Sequence, residues 1–224
     1  MNMSIKFLEK IKPLYDADDL QGYTDADIEL LRDRFGALPQ VLEEYYRAAG
    51  RTRAFHEVNQ DYWVLPEDYG LGESLRQTDY MILLEENQSV CHAGVRREDL
   101  SLPDPPVYYS ADMENWIPCA QTTSEFLAAA LAYEAVCDFE YSPEEFYWLT
   151  KEEVEYIRTS LTKFPYEMKN WIGEMKITLY QSEMDNMVAV MECGEDDFQM
   201  LYGAASEGSY NRLYAILEGI GEPI

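Results

Sequence analysis

The stretch FGALPQVLEEYYRAAG, Phe35 to Gly50, forces a corner on the chain. Upstream, Thr24 is placed to cap a helix whose first turn carries Asp25, Asp27 and Glu29, charges that favour a positive helix end. Its apolar stripe is Ile28, Leu31 and Phe35, at helical spacing. Gly36 stops it, because glycine reaches the left-handed conformation that closes a helix, and Pro39 suits the first position of a new one. A second helix is predicted from about Pro39 to Ala49, with Val41, Leu42, Tyr45 and Tyr46 on one face and Gly50 past its end. A break of about three residues turns the chain, and Leu38 can pin the corner into a core.

After Gly50 the texture changes to short aromatic and branched segments separated by charged or Gly/Pro turns, as strands require. Strands are predicted at Tyr62–Leu65, Tyr80–Leu84, Ser89–Ala93 and Val107–Tyr109, the middle two joined by a polar turn near Glu86 and Asn87. Thr122 with Glu125 makes a capping box for a helix carrying Phe126, Leu127, Ala130, Leu131 and Ala135. Ser142, Pro143 and Glu145 repeat that signature, as do Thr150 and Glu153 before Val154, Ile157 and Leu161. Helices are therefore expected from about 122 to 163. Trp171–Tyr180, Met187–Cys193 and Phe198–Gly203 then read as strands, with turns at 182–186 and 194–197. A closing helix opens at Ser206 or Ser209 and carries Leu213, Ile216 and Leu217. Segregated helices and strands predict an α+β fold, an antiparallel sheet flanked by helices. Residues 1–140 form its core and 141–224 a C-terminal helix-strand-helix extension, either separate or continuous with that core.

Charge narrows the partners. Among 224 residues, 17 Lys and Arg face 43 Asp and Glu, a formal net charge of −26. Nucleic-acid binding draws its affinity from neutralised phosphates, so DNA, RNA and anionic lipid are disfavoured and a basic protein is the natural partner. Carboxylates kept for solubility alone are the plain alternative. The N-terminal stretch lacks the apolar run of a secretory signal, and no run of 18 apolar residues occurs, so a cytoplasmic protein without membrane association is expected. Cys91, Cys119, Cys137 and Cys193 lie far apart with no CxxC pair, which predicts reduced, buried thiols.

The search for chemistry assigns no catalytic, metal or cofactor residue. His56 and His92 are the only histidines, and His92 beside Cys91 on a strand would point to the opposite face from it, a poor dyad. The stretch Asp16–Asp27 begins with the spacing of a calcium loop, then puts Gln21 where Gly is required. Nucleotide, nucleophile-elbow and zinc-protease motifs do not occur. The pairs Glu144–Glu145 and Glu152–Glu153 read as exposed first turns rather than acid/base machinery. The 18 Tyr, 8 Phe and 4 Trp suggest contact surfaces where rings and acids mix, as in DYWVLPEDYG (61–70) and ADMENWIP (111–118). Core positions for Trp63 and Trp116 are the competing assignment.

The broken helix also resembles the Gly-x-x-Leu-Pro, aromatic, Gly signature of the SUKH superfamily, which includes the yeast cell-wall assembly regulator. Leu38, Pro39, Tyr45 and Gly50 match it, with Gly36 one residue nearer to Leu38 than the signature has it, and Glu86, Asn87, Gln88, Asp104, Pro105, Pro106 and Val107 match a second motif that precedes a Ser-Glu-Phe-Leu helix. The resemblance covers roughly residues 20–137. It departs where Ala48-Ala49-Gly50 replaces the usual Asn-Gly-Gly, and nothing after about 140 can be matched. It implies a SUKH-like α+β fold and, for bacterial members, a non-catalytic immunity protein that binds and neutralises a toxin, often a nuclease. Eukaryotic members imply the alternative of an intracellular regulatory scaffold. A basic cognate toxin would meet exposed acids and rings, for which Asp61, Tyr62, Asp68, Tyr69, Glu85, Glu86, Asp112 and Glu114 are the expected contacts.

Overall fold

A computed structural model describes residues 5–57, 61–70, 78–143 and 145–224. The first sheet follows chain order, β1 (Asp61–Trp63), β2 (Tyr80–Glu86), β3 (His92–Arg96), β4 (Val107–Ser110) and β5 (Ile117–Ala120), every neighbour antiparallel. The second sheet contains β6 (Tyr147–Leu149), β7 (Thr162–Trp171), β8 (Met175–Gln181), β9 (Asn186–Gly194), β10 (Asp197–Ala204) and β11 (Glu222–Pro223), in the order β11-β6-β10-β9-β8-β7. Seven α-helices accompany them among the described residues: α1 (Leu8–Ile11), α2 (Asp25–Phe35), α3 (Gln40–Ala49), α4 (Arg53–His56), α5 (Thr123–Asp138), α6 (Lys151–Ser160) and α7 (Glu207–Leu217). The α+β class holds, with two antiparallel sheets.

Helix α5 decides how these parts assemble. Thr122 caps it by accepting the Glu125 N–H, and every residue from Phe126 to Val136 is buried. A helix apolar all round must be covered all round. One side packs across β7 to β10, the other against β5, α1 and α3. One hydrophobic core consequently runs from Ile5 to Leu201, across both segments distinguished in the sequence. The far face of the second sheet buries Val188, Val190, Met200 and Tyr202 beneath Val154, Ile157, Leu213 and Leu217 of α6 and α7. Where β5 and β7 meet, Asn170 Nδ2 donates to the Pro118 carbonyl (2.6 Å) and the Gly173 N–H to the Tyr109 hydroxyl (3.2 Å). Strand β7 is the last of its sheet, and β5 lies against it.

The corner forms as its residues dictate. Thr24 and Asp27 close a reciprocal capping box, Gly36 ends α2 at φ +79°, and Pro39 leads into α3. Leu38 is buried at the turn. Gly50 plays a different part, since its backbone is right-handed and a Cβ there would lie 2.7 Å from Tyr46 Cα. Close approach, not conformation, demands glycine at that position.

Several boundaries differ from expectation. The helix predicted from Ser142 does not form, because after α5 the chain pairs Tyr141 with Ala204 and then enters β6. Helix α6 ends at Ser160, and Trp171–Tyr180 is not one strand: Asn170, Ile172, Gly173 and Glu174 take positive φ and turn β7 into β8. Strand β3 begins at His92, three residues later than predicted, because residues 87–90 make the turn. Strands β5, β6 and β11, and β7 before Trp171, had no predicted counterpart.

Gly36→Ala should lower stability by about 1–2 kcal/mol, the cost of holding a Cβ-bearing residue in the left-handed region. Urea unfolding measures it; an unchanged midpoint would show that the corner does not need glycine.

Candidate partner-binding surface

The structure separates the eight expected contact residues into three groups. Asp61 and Tyr69 are each 1 % exposed and Glu86 is 5 % exposed, so these three are corrected from surface to interior. The Tyr69 hydroxyl donates to the Ile82 carbonyl (2.5 Å), and Glu86 accepts the Gln88 N–H (2.8 Å) to organise the β2–β3 turn. Asp68, Glu85 and Asp112 shape local structure. Asp68 accepts the Leu65 N–H (2.8 Å), and Glu85 accepts the Ser89 hydroxyl (2.5 Å) and lies 3.7 Å from His92 Nε2. Exposed Asp112 gathers the Asn115 N–H, the Asn115 side-chain amide and the Glu114 N–H, which hold its carboxyl well below the usual range. Tyr62, 60 % exposed, and Glu114 stand open to solvent.

Strand register brings part of this set together. Tyr62 lies opposite Glu85, Glu85 opposite His92 and His92 opposite Ser110, a row across one face of the first sheet. Ser110 Oγ donates to Asp112 Oδ1 (3.1 Å), joining that loop to the row. Tyr62, Glu85 and Asp112 therefore lie along one line, whereas Asp68 and Tyr69 belong to the connection after β1.

The opposite face of β1 carries a cluster that the sequence did not reveal. Asp61 and Glu86 pair across β1 and β2, and Glu134 of α5 approaches them from within the core, itself fully buried. Trp171 Nε1 donates to Asp61 Oδ2 (3.1 Å), while Asp61 Oδ1 and both Glu134 oxygens receive no N–H or hydroxyl donor among the described residues. Burial, foremost, pushes the Asp61 and Glu134 carboxyls above their ordinary range. The Asp61 charge adds to the rise at Glu134, while hydrogen bonds to Glu134 and Trp171 moderate it at Asp61. A proton shared between the two carboxyls would pair one oxygen of each. The available signal was a lone acid in the apolar run FLAAALAYEAV.

The remaining titratable groups are placed structurally. His56 bonds the Tyr45 hydroxyl (2.7 Å), and burial lowers its pKa to about 4, which leaves it neutral. Cys91 and Cys119 are buried and their thiols are pushed up to about 12 by burial. Cys193 is exposed and Cys137 half-buried, against the expectation of four buried thiols; Cys193 falls where the β9–β10 register slips at the hairpin end. Trp63 is buried, and Trp116 stacks on Tyr80 with ring centroids 3.9 Å apart. Among the described residues, no group of three or more His, Cys, Asp or Glu side chains is arranged to hold a metal ion. No helix among them is long and apolar enough to cross a membrane.

Comparison with family models, curated proteins and solved structures returned no match.

The buried pair predicts a pH dependence with a definite sign. A carboxyl whose folded pKa is raised stabilises the fold below its unfolded pKa, about 4, and that contribution is lost as pH rises through the folded values. Glu134→Gln keeps the shape and a donor toward Asp61, so it should gain about 1–2 kcal/mol over the parent at pH 8 and little at pH 5. Urea titrations at the two pH values decide it; an equal shift at both would show that the pair does not titrate.

Proposed function

We propose that the protein is a non-catalytic immunity protein that binds a basic toxin, of nuclease type, and neutralises it by covering its cationic surface. The observation that carries this reading is the net charge of −26. A surface of that sign attracts a protein built to hold phosphates, and complementary potentials accelerate encounter as well as select the partner. The resemblance of residues 20–137 to SUKH proteins supports the same reading. So does the exposure of Tyr62 and Glu114, an aromatic ring and an acid free to enter an interface.

Inhibition then follows from occlusion, and it requires only that the complex outlast the approach of substrate. The acids already engaged in ion pairs, such as Glu43 with Arg32 and Glu183 with Arg212, contribute to the long-range field without serving as contacts. Specificity falls to the unpaired acids and rings.

Coexpression with the product of a neighbouring toxin reading frame should restore growth, and the purified pair should form a one-to-one complex at low salt. The association rate should fall about tenfold or more between 50 and 500 mM salt. Failure of both protection and complex formation would refute the proposal, and a salt-independent association rate would refute its electrostatic part.

A further inference from the structure

Phe146, Trp148 and Ile224 are 40 %, 55 % and 55 % exposed. In the β6–β11 pairing Trp148 lies opposite Glu222 and Tyr147 opposite Pro223; the Ile224 N–H then donates to the Phe146 carbonyl (2.9 Å). Residues two apart along a strand share a face, so Phe146, Trp148 and Ile224 project together. Tyr147 and Leu149 turn the other way, into the core beneath α6 and α7. Helix α5 covers this face across β7 to β10, and Trp148 on β6 lies beyond its reach. The result is an uncovered apolar cluster at the margin of the second sheet.

Its surroundings are mainly acidic, the flanking cations Lys151 and Arg212 being paired with Asp196 and Glu183. The two segments that build it, 138–150 and 213–224, contain no Lys or Arg. Glu140, Glu145, Glu218 and Glu222 are exposed along them. An aromatic centre within an acidic rim is the anatomy of a protein interface matched to a basic partner.

We propose that this margin, centred on Trp148, is the docking surface for a basic protein. The inference rests on the proposed toxin-neutralising function and deepens it by naming the face. A second copy of the chain fits poorly, since two bodies of charge −26 repel. An anionic membrane meets the same repulsion. Strand addition at β11 is also disfavoured, because β11 spans only Glu222–Pro223 and Pro223 has no N–H to offer. The partner is therefore held by side chains on the sheet face.

A photo-crosslinking phenylalanine derivative placed at 148, and at the exposed Leu30 of α2 as a control, in cells carrying the partner toxin tests the assignment. Calorimetry with the purified toxin then compares variants. The inference expects cross-links from 148 to the toxin, Trp148→Ala weakening binding about 30-fold, and Leu30→Ala changing it less than twofold. Glu218→Lys with Glu222→Lys should slow association about tenfold. Unchanged melting of each variant is expected from the exposure of these side chains, and shows that a loss of binding is not a loss of fold. If the toxin binds and Trp148→Ala is within twofold of the parent, the face is wrong while the immunity function stands. Cross-links from 148 to a second copy, to lipid or to nothing overturn the face as well, and absence of any complex with the parent overturns the function too.

Discussion

The rest of the structure depends on the burial of one helix from every side. Helix α5 has no polar stripe to turn toward water, so it is stable only where something covers each of its faces. The first sheet with α1 and α3 supplies one cover and the second sheet the other. Burial of Phe126, Leu127 and Leu131 contributes roughly 1.5–3 kcal/mol each, and the alanines between them let backbones approach closely. The cost is concentrated at Glu134, an acid within that helix, which is tolerated because Asp61 stands beside it and a proton can be shared.

Legibility in the sequence followed locality. The caps at Thr24, Thr122, Thr150 and Ser206 were readable because a cap is decided within four residues, and so was the left-handed stop at Gly36. Strand β6 was misread because Ser142-Pro143 with Glu145 imitates a helix start, and only its distant partners β10 and β11 make it a strand. The β7–β8 turn was hidden for a related reason: Asn170, Ile172 and Glu174 carry positive φ although only Gly173 advertises it. The expected contact residues divided in the same way. Acids beside rings were legible, but which side of β1 or β2 faced water depended on α5, so Asp61 and Glu86 went inward while Tyr62 and Glu85 went outward. Phe146, Trp148 and Ile224 could not be grouped at all before the pairing of β11 with β6 was known.

Acidity serves two purposes in this chain, and their physical chemistry differs. Asp61, Glu86 and Glu134 lie in the interior, where desolvation opposes charge and protons are retained or hydrogen bonds recruited. The remaining carboxylates create the field outside, where charge is solvated and acts at the range set by salt. The proposed function belongs to that outer set, while the inner set bears on stability.

The most direct measurement of the central claim is a titration of the toxin's nuclease activity with increasing amounts of this protein at fixed low salt. Capture by occlusion predicts a linear loss of activity that ends at one molecule of inhibitor per molecule of toxin. Activity that survives an excess of the protein, or that is abolished by a small fraction of an equivalent, would contradict it.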